Sequence, residues 1–281
     1  MKKGKILLIV LIFIAVGLLL WARFISTTGL NIREYAVSKE TLPDSFDGFK
    51  IVHFSDLHYG RTVDDEKLED IVNKINLLKP DIVVFTGDLI DKDVTVTEET
   101  LEKVKEKLSD IDASIAKFAV KGNHDYSTNL FENIMTEAGF KILDNESDFI
   151  YYKSDTPIII SGLSSSIKTQ PDYENLFTNL ELTEEELATY YKILLVHEPD
   201  QILEVEDKNF DLVLAGHSHN GQVRIPFVGA VIKTEGAKTY YESYYKVNDT
   251  DLYISGGVGC SVLNFRFLNK PSFNFYRLYS E

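Results

Sequence analysis

The chain opens with an unbroken apolar run of seventeen residues from Ile6 to Ala22. As a helix rising about 1.5 Å per residue it spans roughly 26 Å, near the thickness of a bilayer core. Lys2, Lys3 and Lys5 precede the run, Arg23 follows it, and Trp21 suits the interface. The pattern predicts an uncleaved signal anchor over residues 1–23. Its N-terminus is expected in the cytoplasm and the rest of the chain outside it, as in a single-pass cell-membrane protein. The competing reading is a cleaved signal peptide, but Trp21-Ala22-Arg23-Phe24 offers no clear small-x-small site.

Beyond residue 30 the periodicity changes to short apolar runs alternating with amphipathic stretches. Strands are predicted over Asn31–Ser38, Lys50–Ser55, Asp81–Thr86 and Lys117–Lys121, with helices over Asp64–Leu78 and Glu98–Leu108. Thr62 is the expected N-cap of the first of these helices, and Pro80 ends it. Strand, loop, helix, repeated, is the signature of βα units in a parallel sheet. From Phe149 the chain becomes strand-rich. Tyr151-Tyr152, Pro157–Ser161, Lys192–Val196, Leu212–Ala215, Leu252–Ser255 and Ser272–Leu278 suit strands, and Thr183–Tyr191 suits a helix. One domain over residues 30–281, built of two packed sheets with helices outside, accommodates them.

Composition is ordinary for a globular protein, and the net charge is −15. Such a surface repels nucleic-acid phosphates, so no nucleic-acid partner is expected. The single cysteine, Cys260, excludes an intrachain disulfide and reads as a small buried apolar residue.

Five motifs hold five of the six histidines: Asp56-Leu57-His58, Gly87-Asp88-Leu89-Ile90-Asp91, Gly122-Asn123-His124-Asp125, His197-Glu198-Pro199 and Gly216-His217-Ser218-His219. Carboxylate, imidazole and amide ligands suit divalent Mn, Fe or Zn. Each of the first three motifs falls at the carboxyl end of a predicted strand, where open α/β sheets bind ligands. An anionic Asp88 at the exit of a buried strand calls for a cation, and its two oxygens can bridge two metals. Taken singly, each motif also has a bland explanation as a turn residue or a core histidine. His53, inside a strand, reads as structural. Tyr240, Tyr241, Tyr244 and Tyr245 read as strand aromatics, with a lipid- or base-facing surface as the alternative.

The ordered set resembles the calcineurin-like metallophosphoesterase superfamily from Asp56 to His219. The stretch Gly216-His217-Ser218-His219-Asn220-Gly221-Gln222 looks like the GHxHxGQ form of a membrane-anchored bacterial branch, and Gly256-Gly257-Val258-Gly259 resembles that branch's glycine-rich strand end. Ser218 and Asn220 depart from the usual residues at positions that are not ligands. The resemblance implies an α/β fold of two packed mixed sheets flanked by helices, a four-layer αββα sandwich. It implies that Asp56, His58 and His219 hold one metal, Asn123, His197 and His217 hold a second, and Asp88 bridges both. His124 would be the catalytic histidine that is not a ligand, with Asp91 orienting it and Asp125 a weaker orienting candidate. The implied chemistry is hydrolysis of a phosphate ester by a metal-bridging hydroxide, with Arg61 and Arg224 as phosphate clamps. A phosphodiester substrate, lipid-linked or envelope-derived, ranks first. A phosphomonoester or a sugar-nucleotide-lipid pyrophosphate comes next, and a non-catalytic metal- or phosphate-binding module last. A zinc peptidase is disfavoured because no His-Glu-x-x-His occurs. A monomer is expected.

Overall fold

The computed structural model describes residues 2–281 except Lys92 and Thr128. Helix α1 (Lys2–Leu20) runs on through a π-helical turn at Trp21–Ile25. Lys3–Ile25 is long and apolar enough to cross a bilayer, with a mean hydropathy of 2.8. Its apolar side chains are exposed along its length, so it is not a core helix of the domain.

Strand β1 (Asn31–Lys39) leads to β2 (Lys50–Phe54), helix α2 (Asp65–Leu77) and β3 (Ile82–Phe85). Helix α3 (Glu98–Ser109), β4 (Ala116–Ala119), α4 (Leu130–Glu137), β5 (Phe140–Ile142), β6 (Glu146–Ile150) and β7 (Ile158–Gly162) follow. A single-turn α5 (Glu184–Leu187), β8 (Lys192–Val196), β9 (Leu212–Ala215) and a small hairpin, β10 (Arg224–Ile225) with β11 (Gly229–Ala230), come next. Strands β12 (Tyr244–Val247), β13 (Thr250–Ile254) and β14 (Ser272–Ser280) complete the chain.

Two mixed six-stranded sheets result, ordered β1-β14-β2-β3-β4-β5 and β12-β13-β9-β8-β7-β6. The chain's last strand pairs parallel with its first and antiparallel with β2. Period-two alternation sorts the strand residues. Ile51, Val84 and Phe118 of the first sheet meet Ile160, Leu195 and Leu214 of the second in a buried layer between the sheets. Val52, Phe54, Val83 and Phe85 face the other way, onto α2, α3 and α4. The outer face of the second sheet is covered by Leu176, Phe177, Ile202 and Phe210 from 3-10 turns and loops. The fold is the expected pair of helix-flanked mixed sheets, with the second outer layer thinner than the first.

Local boundaries differ from the expectation in instructive places. Helix α2 is capped by Asp64, whose side chain accepts the Lys67 amide, while Thr62 Oγ1 accepts the Cys260 amide across the fold. Only Glu184–Leu187 of the acidic 183–191 stretch is α-helical, started by a capping box at Thr183. Tyr151 and Tyr152 lie outside β6. The tyrosine group is structural: Tyr245 packs edge-on against Tyr240, and Tyr244 against Tyr253 and Asp251. Cys260 is a free, buried thiol.

His53 is fully buried between the sheets, Nε2 2.8 Å from Thr86 Oγ1 and Nδ1 3.3 Å from Tyr276 Oη. Burial pushes its pKa down to about 3. Below pH 6.5 the unfolded chain therefore binds a proton that the folded chain refuses, and stability falls as pH falls toward 3. The expected loss at pH 5 is about 2 kcal/mol, or 1.4 per pH unit. Thermal unfolding of His53→Leu between pH 7 and 5 should lose that increment of acid sensitivity, whatever its absolute Tm. An unchanged pH slope would show that His53 is protonated in the native state.

Candidate metal centre

The parallel strands β2, β3 and β4 of one sheet and β8 and β9 of the other release the five motif loops at one end of the sandwich. Five of the seven ligand candidates have left-handed backbone: Asp56 (φ 53°), His58 (43°), Asp88 (61°), His217 (65°) and His219 (48°). For residues with a side chain this region costs roughly 1–3 kcal/mol each, and such strain gathers where function over-determines the backbone. The loops also touch. A Cβ on Gly87, whose φ is +87°, would stand 2.2 Å from Gly122 N, and one on Gly122 would stand 2.3 Å from Asp88 Oδ1. Asp125 ties both loops down by accepting the amides of Asp88 (2.7 Å), Leu89 (2.9 Å) and Gly122 (2.8 Å). Burial and the nearby Asp88 charge push Asp125 up to about 7.

Three groups of donor atoms converge. Asp56, His58 and His219 present ligand atoms within 4.8 Å of one another, as do Asp88, His197 and His217, and His58, Asp91 and His124. His58 Nε2 lies 3.3 Å from His219 Nε2 and 3.6 Å from Asp88 Oδ2. His219 Nε2 is 3.4 Å from Asp56 Oδ1, and the His217 amide donates to Asp56 as well. Asp88 Oδ2 is 3.3 Å from His197 Nε2 and 3.9 Å from His124 Nε2, so Asp88 sits among three histidines.

Two carbonyls fix the tautomers. His197 Nδ1 is 2.6 Å from Thr86 O, and His217 Nε2 is 2.7 Å from Glu235 O. A carbonyl only accepts, so each of these nitrogens carries the hydrogen. The bare nitrogens that remain, His197 Nε2 and His217 Nδ1, face each other at 3.2 Å. Two lone pairs at that distance repel unless a cation lies between them. A proton is the smallest such cation. Burial opposes charge on His197, yet Asp88 raises it well above the usual imidazole range, and the same partner holds Asp88 well below the carboxylate range against its own burial. His217 is pushed down to about 3 by burial and by His197. Asn123 adds the same demand, because its buried Oδ1 has no hydrogen-bond partner in the structure. Buried acceptors without donors, beside buried carboxylates, are the chemistry of a divalent-cation site.

The remaining candidates are placed differently from expectation. Asp91 makes no hydrogen bond to His124, whose Nδ1, like that of His58, is without a hydrogen-bond partner, although ligand atoms of Asp91, His58 and His124 lie within 4.8 Å of one another. Asp91 Oδ2 takes Arg61 Nε at 2.7 Å and lies 3.5 Å from His58 Nδ1, while Oδ1 takes the Asp93 amide. The carboxylate is thus held by Arg61 and the Asp93 amide, next to the His58 ring. Arg61 also pairs with Asp93, and Arg224 makes a two-pronged pair with Glu242 plus a bond to Asn220 O.

Two further residues line the site: Arg266, which no motif marks, and Glu198, named only as part of its motif. Arg266 is fully buried; it donates to the carbonyls of Gly256, Gly257 and Gly259, and its Nη2 lies 3.2 Å from His219 Nδ1. Glu198 is buried beside His197 and accepts from Ser165 Oγ, the Ser166 amide and Gln201 Nε2.

Residues 49–221 match the family described as calcineurin-like phosphoesterase. The chain belongs to that family, whose members are metal-dependent hydrolases of phosphoric esters. It is 34% identical over 263 residues to the uncharacterized metallophosphoesterase YkuE of Bacillus subtilis, covering 92% of this chain and 89% of that one. It is 30% identical to the UDP-2,3-diacylglucosamine pyrophosphatase LpxG of Chlamydia trachomatis, covering 64% of this chain and 66% of the relative. A transmembrane protein with metallophosphoesterase domain from Danio rerio is 28% identical over 82% of this chain and 53% of its own length.

Gly122→Ala should force the two loops apart. An overpacked core position costs about 1–3 kcal/mol, which lowers Tm by roughly 2–12 °C for a chain of this size, and metal retention should fall with it. Tm and metal content both equal to wild type would show that the loops need not touch.

Proposed function

We propose that this protein is a binuclear metal-dependent phosphoesterase with phosphodiesters as its favoured substrates. The observation that carries the reading is the pair of carbonyl-locked imidazoles whose bare nitrogens face each other beside Asp88. Asp56, His58 and His219 would hold one divalent ion, Asn123, His197 and His217 the other, and Asp88 would be shared. Mn, Fe and Zn all suit this donor set. Two ions bound there would neutralise phosphate charge and bring the pKa of a water near neutrality.

The chain's own groups then have distinct tasks. Asp91 steadies His58, and Arg266 and Asn269 steady His219, whose carbonyl accepts from Asn269 Nδ2. His124 is held by its amide, which donates to Asp88 Oδ1 at 2.8 Å, and by its ring, which packs edge-on against His58. Burial lowers the His124 pKa, and the ring would protonate or hydrogen-bond the departing oxygen. Arg61 and Arg224 are assigned to fixing loops. A phosphate would have to displace Asp93 or Glu242 to be clamped by them.

The reading places the catalytic domain outside the cytoplasm, anchored by α1. Packing supports an uncleaved anchor: Ala22 is buried against the domain, and the Trp21 ring meets Phe267 edge-on at 5.5 Å. A lipid-linked or envelope phosphate follows as substrate class. The relative named as a diacylglucosamine pyrophosphatase keeps a pyrophosphate-linked sugar-nucleotide lipid as the second candidate.

Hydrolysis of a chromogenic phosphodiester and monoester with added Mn²⁺ tests the roles. Asp88→Asn should lose metal and activity together. His124→Ala should keep its metal and slow turnover by roughly 10²–10⁴-fold. Turnover equal to wild type in both variants would overturn the assignment.

A further inference from the structure

Two loops beside the metal centre are apolar on their outer sides. Ile225, Phe227, Val228, Val231 and Ile232 are exposed on the hairpin and the segment after it, Phe227 completely. Val262, Leu263 and Leu268 are exposed on the second loop. Among the described residues, the other large exposed apolar side chains outside Lys3–Ile25 are scattered singly, which is ordinary for a protein surface. A concentrated patch is not.

The two loops form one unit. Gln222 Nε2 donates to the carbonyls of Ser261 and Leu263, and the Arg224 amide donates to Phe267 O. Their shared base carries the end of the apolar helix, where the Arg266 amide donates to Ala22 O at 3.0 Å and Phe267 packs on Trp21. Phe24 and Ile25 are exposed beside them. The apolar surface of the helix therefore continues onto the loops. Arg23 on the helix end and exposed Lys233 after the hairpin add positive charge suited to anionic headgroups on an otherwise acidic chain. Both loops also reach the site. Glu235 O fixes His217, Arg266 touches His219, and Arg61 donates to Val262 O.

We propose that loops 225–232 and 262–268 rest in the lipid surface beside the anchor, so that the metal centre opens at the bilayer and takes phosphate esters presented by membrane lipids. The substrate clause rests on the phosphoesterase reading above. The contact itself rests on the anchor and the apolar continuity.

The full chain is reconstituted in phosphatidylethanolamine/phosphatidylglycerol vesicles with an environment-sensitive fluorophore at one introduced cysteine. Ile14→Cys reports the anchor, Phe227→Cys the loop, and Leu77→Cys a site at the far end of α2. Quenchers are spin-labelled lipid and aqueous iodide, and phosphodiester hydrolysis is measured in the same samples. The Phe227 probe should lose most of its emission to the lipid quencher, like Ile14, while Leu77 loses it to iodide. A Phe227 probe quenched by iodide alone overturns the proposal. So does one shielded from both quenchers, which marks a protein partner such as a second copy. An Ile14 probe quenched by iodide removes the anchor and the proposal with it. Hydrolysis lost with lipid quenching intact faults the phosphoesterase reading and leaves the membrane contact standing.

Discussion

Two imidazole nitrogens face each other across 3.2 Å while the other nitrogen of each ring is committed to a carbonyl. That constraint organises the rest of the site. Lone pairs from His197 and His217 converge with the carboxylate of Asp88, the buried Oδ1 of Asn123 has no hydrogen-bond partner, and positive charge reconciles them. The fold supplies the compression. Parallel strands from both sheets end at one level, and glycines at 87 and 122 let the backbones approach to a distance no side chain would permit. Left-handed backbone at five candidate ligands is the conformational cost of aiming them at a common centre.

Most of this architecture is legible in the chain. Apolar runs of four or five residues followed by motif loops located β2, β3, β8 and β9, because strands buried on both faces read as continuous hydrophobic stretches. The motif residues could be named because carboxylate and histidine types recur at strand ends. What the sequence concealed has a physical reason in each case. Helix α4 and the short strands β5 and β6 have patterns too brief to separate from loop. Asp64 displaced Thr62 as the helix cap because Thr62 is engaged by Cys260, nearly two hundred positions away. Arg266 was invisible because its partners are backbone carbonyls and one ring nitrogen, and no residue type marks a carbonyl.

Asp91 illustrates the limit of reading roles by spacing. Its position after Asp88 suggested service to His124; the turn pairs its carboxylate with Arg61 and leaves it within reach of both His58 and His124. The site is thereby stiff on the side of Asp56, His58 and His219, where Arg266 and Asn269 also bear on His219. At His124 the amide is held by Asp88, while ring Nδ1 has no hydrogen-bond partner.

The apolar helix and the metal centre are linked through a short chain of contacts, from Ala22 to Arg266 to His219. The end of the apolar helix and the site geometry thus share residues. The most direct measurement of the central claim is anomalous diffraction from crystals grown with Mn²⁺. The account predicts two peaks, one among Asp56, His58 and His219 and one among Asn123, His197 and His217, with Asp88 between them. A well-folded protein showing one peak or none at those positions would contradict it.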